Sequence, residues 1–292
     1  MSAVLDTKPP GPPSAWLEWL PVLAGLLILF VPTFYSAATT FWQSDENAHA
    51  PIILAVIVWL SWQKRAATYS ISSHPLPALG FGLLLFGLLL YVLGRSQDIP
   101  LLEIGALTPI VAGALLAMRG PRVLRAFWFP LCFVVFMLPL PGFFVDALTG
   151  PLKQHISEIV EQILYTAGYP IARTGVMLTI GQYQMLVADA CSGLNTMFSL
   201  SALGLLFMYL TRRTSPAHNL IMLVSILPIA FLANIIRVLI LMLVTFHFGD
   251  AAGQGYLHGA AGIVLLMAAL SVLLLLDSIL ARVITPRKHE RQ

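Results

Sequence analysis

Apolar residues along this chain gather into runs of about 18 to 25 between short polar breaks, the length at which an α-helix crosses about 30 Å of hydrocarbon. The pattern predicts about eight spans, roughly Trp16 to Tyr35, His49 to Gln63, Leu76 to Leu93, Leu101 to Met118, Leu124 to Leu140, Cys191 to Leu210, Leu220 to Phe246 and Tyr256 to Leu280. The second is short. The first shares one feature with signal peptides, since Ser36, Ala37 and Ala38 follow its apolar run. Its length and weak basic flank favour a retained anchor.

One interval stands apart, from Pro141 to Ala190. Loops of that length are usually functional or separately structured. Toward its start Phe144, Leu148, Leu152, Ile156, Val160 and Ile163 recur at helical spacing opposite Lys153, Gln154, Ser157, Glu158 and Glu161, which predicts an amphipathic helix able to lie along a membrane surface. Toward its end a pair of short apolar runs, Val176 to Ile180 and Tyr183 to Val187, flank Gly181-Gln182. Gly followed by one residue suits a tight hairpin turn. The predicted fold class is all-α: a polytopic membrane helix bundle with an outer amphipathic helix and a short β-hairpin leading into Asp189-Ala190-Cys191. A disordered Pro-rich tail over 1–15, a membrane domain over 16–281 and a basic tail over 282–292 complete the organisation.

Composition agrees with a membrane protein and excludes a soluble one, because 58% of residues are hydrophobic and only 10% charged, against roughly a quarter charged in soluble domains. The net charge of +3 is small and spread around the spans, which argues against a nucleic-acid partner. Its placement carries more information. Lys8, Lys64, Arg65, Arg119, Arg122, Arg125, Arg212, Arg213, Arg282, Arg287, Lys288 and Arg291, twelve of the 16 basic residues, fall on one side of an eight-span arrangement. Cytoplasmic loops retain Lys and Arg, so both termini are expected inside. The interval from Pro141 to Ala190 is then outside, with Asp45, Glu46, Asp98 and Glu103. The two cysteines form neither a CxxC nor a ligand cluster, so neither a metal site nor a cofactor is expected.

Three residues carry candidate chemistry. Cys191 opens the sixth span, with Asn195 and Ser199 following at i+4 and i+8 to make one polar stripe. A helix N-terminus lowers a nearby thiol pKa and so favours the nucleophilic thiolate. A lone membrane cysteine is more often a small inert hydrophobe, and Cys132 fits that reading. Arg237 is the stronger signal, since an arginine inside a span costs several kcal/mol unless it is paired or lines a wet cavity. Asn234 lies one turn earlier on the same face. The alternative, and less favoured, reading of Arg237 is a structural pair holding helices together; as a catalytic group it would stabilise the oxyanion formed on a carbonyl under attack. His258 opens the eighth span on the same outer side and could take the thiol proton and return it to a leaving amine. Its bland reading is an interfacial histidine. His49, His155 and His247 are also outside, whereas His218 is not.

With these residues in view, Ala190-Cys191-Ser192-Gly193-Leu194, Asn234-Ile235-Ile236-Arg237-Val238 and His258-Gly259 together resemble the exosortase/archaeosortase family. Trp42, Asp45, His49, Pro51 and Pro139-Leu140-Pro141 resemble it as well. The run Asp189 to Asn195 and the stretch Phe248 to Gly255 resemble the exosortase B subgroup. The resemblance implies an inner-membrane cysteine peptidase or transpeptidase with Cys191 as nucleophile and Arg237 and His258 as partners; Asn195, Asn234 and Asp189 are the expected supporting residues beside them. Its implied substrates are exported proteins ending in a Pro-Glu-Pro motif, a transmembrane helix and a basic tail, cut at the periplasmic face and passed to an acceptor nucleophile of unknown identity. Such systems accompany exopolysaccharide production. Membrane lipid would be the other partner. Two rival readings stay open: a transporter or polysaccharide-export component with Arg237 in a wet cavity, and a structural assembly protein that needs no reactive thiol.

Overall fold

A computed structural model describes residues 15–44, 47–71, 73–139, 142–186, 193–211, 213, 215–249 and 256–284, with the backbone alone at 15–16, 142–146, 148–149, 193–197, 256–263 and 284. It is mostly helical and falls into two compact units, Met1–Gln43 with Ala50–Leu138, and Ser44–His49 with Pro139–Gln292. Among the described residues five stretches are long and apolar enough to cross a membrane: Leu17–Thr39, Pro77–Ser96, Pro100–Met118, Pro216–Phe248 and Val264–Val283. The chain is a membrane protein.

The first unit contains α1 (Ala15–Thr39), α2 (Ala50–Gln63), α3 (Ala67–Ser70), α4 (Pro77–Ser96), α5 (Pro100–Gly105), α6 (Leu107–Met118), α7 (Pro121–Ala126) and α8 (Trp128–Phe133), which runs on as a 3-10 turn over Val134–Met137. Two apolar runs expected as single helices are broken, and the breaks have one cause. Proline has no N–H to return to the carbonyl four residues back. Pro109 leaves the Gly105 carbonyl without that bond, and α5 ends at Gly105; Pro130 does the same for Ala126, where α7 ends. The unit is organised around a glycine seam. Gly80, Gly87 and Gly94 recur every two turns along α4 and are all buried, while Leu79, Phe81, Leu85, Phe86, Leu89 and Leu93 point outward and are exposed. A Cβ at Gly80 would stand 2.5 Å from the Ala117 backbone, and one at Gly113 of α6 2.6 Å from Leu84 N. Helices without side chains between them approach closely, and the large residues are left for lipid.

Polar contacts mark the two ends of this unit. At one end Arg119, just past α6, pairs with Glu18 of α1 at 2.6 Å. At the other, buried Glu103 accepts from Thr33 at 2.6 Å and pairs with Arg95 at 3.0 Å.

The second unit contains α9 (Gly142–Thr166), β1 (Ile171–Thr174), β2 (Met177–Ile180), β3 (Tyr183–Leu186), α10 (Gly193–Thr211), α11 (Pro216–Phe248) and α12 (Tyr256–Ile284). The strands form one antiparallel sheet in the order β1-β2-β3, pairing Thr174 with Met177 and Ile180 with Tyr183 at the two turns. Sequence reasoning placed two strands here; the structure has three. Each turn has two central residues with glycine first, Gly175 at φ 64° and Gly181 at φ 57°. That left-handed first position suits a type II′ hairpin and favours glycine.

The amphipathic helix exists as α9, but its apolar face is covered by protein. Ile156, Val160 and Leu164 pack with Leu178 and Ile180 of the sheet and with Ile235, Val238, Leu241 and Met242 of α11. Leu164 takes the buried place and Ile163 is exposed. A second cluster joins Leu200 of α10, Met222, Ile226, Ala230 and Ala233 of α11, and Ala269 and Leu273 of α12. Helix α11 is thus the axis of the unit, clad along one stretch by α10 and α12 and along the next by α9 and the sheet.

Candidate active site

Arg237 and Asn234 lie on α11 where the two apolar clusters meet, between Ala233 of one and Ile235 and Val238 of the other. Both side chains are buried, Arg237 at 5% exposure and Asn234 at 1%, and both have interaction partners. They are three residues apart and so share a helix face. A guanidinium buried this way is screened from bulk water, the condition under which its donors act most strongly on developing negative charge. Sequence reasoning singled out this pair.

It missed Thr245, two turns further along α11 at i+8 from Arg237. Its hydroxyl is buried and has no hydrogen-bond partner among the described residues. The signal was available: a hydroxyl at helical spacing from an arginine in an otherwise apolar run.

The remaining candidates are placed less fully. Cys191 and Asp189 lie outside the described residues. Asn195 is in the first turn of α10 and His258 in the first turn of α12, each by its backbone. Helix α10 thus begins two residues after Cys191, and α12 two residues before His258. Neighbours pack α11 against both helices through the second cluster.

Two of the rival histidines have partners of their own on the surface. His155 lies 3.5 Å from Glu158 on α9, and His247 lies 3.4 Å from the Tyr169 hydroxyl. His49 belongs to the same unit as Arg237 and has an interaction partner. Cys132, on α8 of the first unit, is exposed. Among the described residues no group of three His, Cys, Asp or Glu side chains could hold a metal ion.

A family model described as transmembrane exosortase matches residues 41–275, most of the chain and every candidate site residue. The chain belongs to the transmembrane exosortase family. No curated protein and no solved structure matches it. In this exosortase the matched stretch spans both units and contains Cys191, Arg237 and His258.

At the opposite end of α11 from the arginine pair is a second polar cluster, also unforeseen in full. Asp277 of α12 is buried, with Arg213 donating to its Oδ2 at 2.7 Å and His218 Nε2 lying 2.7 Å from its Oδ1. A lone carboxylate inside an apolar span was the sequence signal for it. This cluster ties the start of α11 to α12 and keeps the exosortase helix pair in register.

Proposed function

We propose that this exosortase is a cysteine endopeptidase and transpeptidase that cuts the C-terminal sorting signal of exported proteins at the outer face of the inner membrane. The observation that carries the reading is the buried Arg237 and Asn234 pair, sited on the axis helix of a chain in this family. The Cys191 thiolate adds to the scissile carbonyl carbon, and the Arg237 guanidinium donates to the oxyanion that forms. The C–N bond then breaks as His258 gives the leaving amine the proton taken from the thiol. This leaves a thioester on Cys191, which an acceptor nucleophile or water resolves, restoring the thiol. Asn234, Asn195 and Asp189 position these groups.

The substrates are exported proteins bearing a Pro-Glu-Pro motif, a transmembrane helix and a basic tail, destined for the envelope or the exopolysaccharide matrix. The Asp189 to Asn195 run supports assignment to the B subgroup. Both termini are cytoplasmic and the site faces the periplasm. The meeting of Glu18 with Arg119, and of Arg213 with Asp277, supports this arrangement, because in it all four lie on the inner side.

Cys191→Ala and Cys191→Ser are expected to abolish processing of a sorting-signal substrate while the protein remains inserted, and Cys132→Ala to be close to wild type. Processing at the wild-type rate by Cys191→Ala would sink the covalent mechanism.

A further inference from the structure

The two edges of the sheet are treated differently. A free strand edge offers unpaired N–H and C=O groups to any passing chain, and proteins blunt such edges with charge, proline or local bonding. The β1 edge has all three. Pro170 precedes it, the outward N–H of Ile171 bonds to Tyr169 O at 2.9 Å, and Arg173 is tied to Glu161 at 2.8 Å and to Glu158 at 3.5 Å.

The β3 edge has none of these. Because Ile180 and Tyr183 flank a two-residue turn, they form a hydrogen-bonded pair, and bonding alternates from there. Tyr183 and Met185 therefore direct their backbone groups to β2, and Gln184 and Leu186 direct theirs outward. Among the described residues nothing bonds the outward N–H or C=O of Gln184 or Leu186, and no further strand pairs with β3. All four residues of the strand are uncharged. The strand is also well anchored, with Tyr183 and Met185 packed on the α9–α11 core and Gly181 against Phe246. Five residues after Leu186 comes Cys191.

We infer that the outer edge of β3 binds the substrate polypeptide as an added strand, through the backbone groups of Gln184 and Leu186, and so leads the scissile bond to Cys191. The inference rests on the peptidase reading and adds to it how the substrate is held. Strand addition draws its affinity from main-chain bonds, so it accepts varied side chains provided the segment is extended. That suits an enzyme whose proposed substrates share a short motif ahead of their transmembrane helix.

The test uses the full-length enzyme in membranes and a series of sorting-signal peptides N-methylated at one residue at a time before the cleavage site. N-methylation removes one donor and blocks pairing, and only every second residue of an added strand faces its partner. The expected result is a period-two profile, with kcat/KM lowered about tenfold at alternate positions, the worth of one or two backbone hydrogen bonds. A flat profile, or a continuous block of sensitive positions, overturns the inference. On the enzyme side, Gln184→Pro removes the outward N–H while leaving the bonds to β2, and is expected to raise KM about tenfold while Cys191 keeps its reactivity toward a small thiol reagent. Wild-type KM in Gln184→Pro overturns the inference, as does a change of oligomeric state with processing unaltered, which would give the edge to a second copy of the chain. Processing that survives Cys191→Ala instead removes the peptidase reading, so the two failures are distinguishable.

Discussion

Arg237 separates two roles that a buried guanidinium can play. Lysine keeps the charge but replaces a planar five-donor fork with a compact ammonium, so the pair is interchangeable for simple charge balance and not for fixed donation to an oxyanion. Arg237→Lys is therefore expected to insert normally and process poorly, with a loss of about 10²-fold to 10³-fold per amount of folded enzyme, the usual cost of removing one oxyanion donor. The measurement is substrate processing normalised to folded protein in the membrane, with Arg237→Ala and His258→Ala alongside. Near-wild-type normalised activity in Arg237→Lys would leave Arg237 a structural role only. At this scale the sequence was most informative where a residue contradicted its surroundings. Arg237 stood out because charge in an apolar helix is costly. Asp277 met the same criterion and passed unnoticed, since its partners Arg213 and His218 are distant in the chain and only folding joins them. Thr245 was quieter still, because a hydroxyl inside a helix ordinarily satisfies itself on its own backbone.

Elements were legible to the extent that local chemistry decides them. Pro77, Pro121 and Pro216 each stand at a helix start, where a missing N–H costs nothing. Proline inside an apolar run was ambiguous: Pro109 and Pro130 coincide with breaks, whereas Pro32 and Pro228 sit within continuous helices. The third strand was readable and was missed, for Gly175-Val176 repeats the pattern of Gly181-Gln182 one strand earlier. The buried face of α9 was not readable at all. An apolar stripe looks the same whether it meets lipid or protein, and here α11 and the sheet cover it. The α4–α6 seam gives an element-scale prediction. Gly113→Ala places a Cβ 2.6 Å from Leu84 N, backbone that cannot swing away, whereas Gly82 has nothing within 4 Å. Thermal unfolding in detergent is expected to show a clear loss for Gly113→Ala. Gly82→Ala should be neutral or gain up to about 1 kcal/mol from helix propensity. Equal melting of the two variants would show that the helices separate freely at the seam.

For the whole molecule, the decisive question is which side of the membrane each end of the helices occupies. The twelve-of-sixteen bias in basic residues predicts an inner N-terminus and C-terminus and an outer α9 and sheet. Reporter fusions check this directly. A fusion after Gln292 should behave as cytoplasmic and one near Gln154 as exported; the opposite pair of results would put Cys191 and His258 on the wrong side for exported substrates.

The length of α11 has its own consequence. Its 33 residues make a rod of about 50 Å, well beyond the about 30 Å of a bilayer's hydrocarbon. Cladding by α9 and the sheet toward the far end of that rod gives the surplus a protein sheath instead of a lipid one. Arg237 is therefore carried at a height counted in helical turns from the start of the rod, with no loop between to flex. On the peptidase reading proposed above, an exosortase built this way would cut at a set elevation above its membrane anchor, so the position of the cut would be registered from the substrate's own transmembrane helix. The bond to be broken would then be chosen by altitude as much as by the residues that flank it.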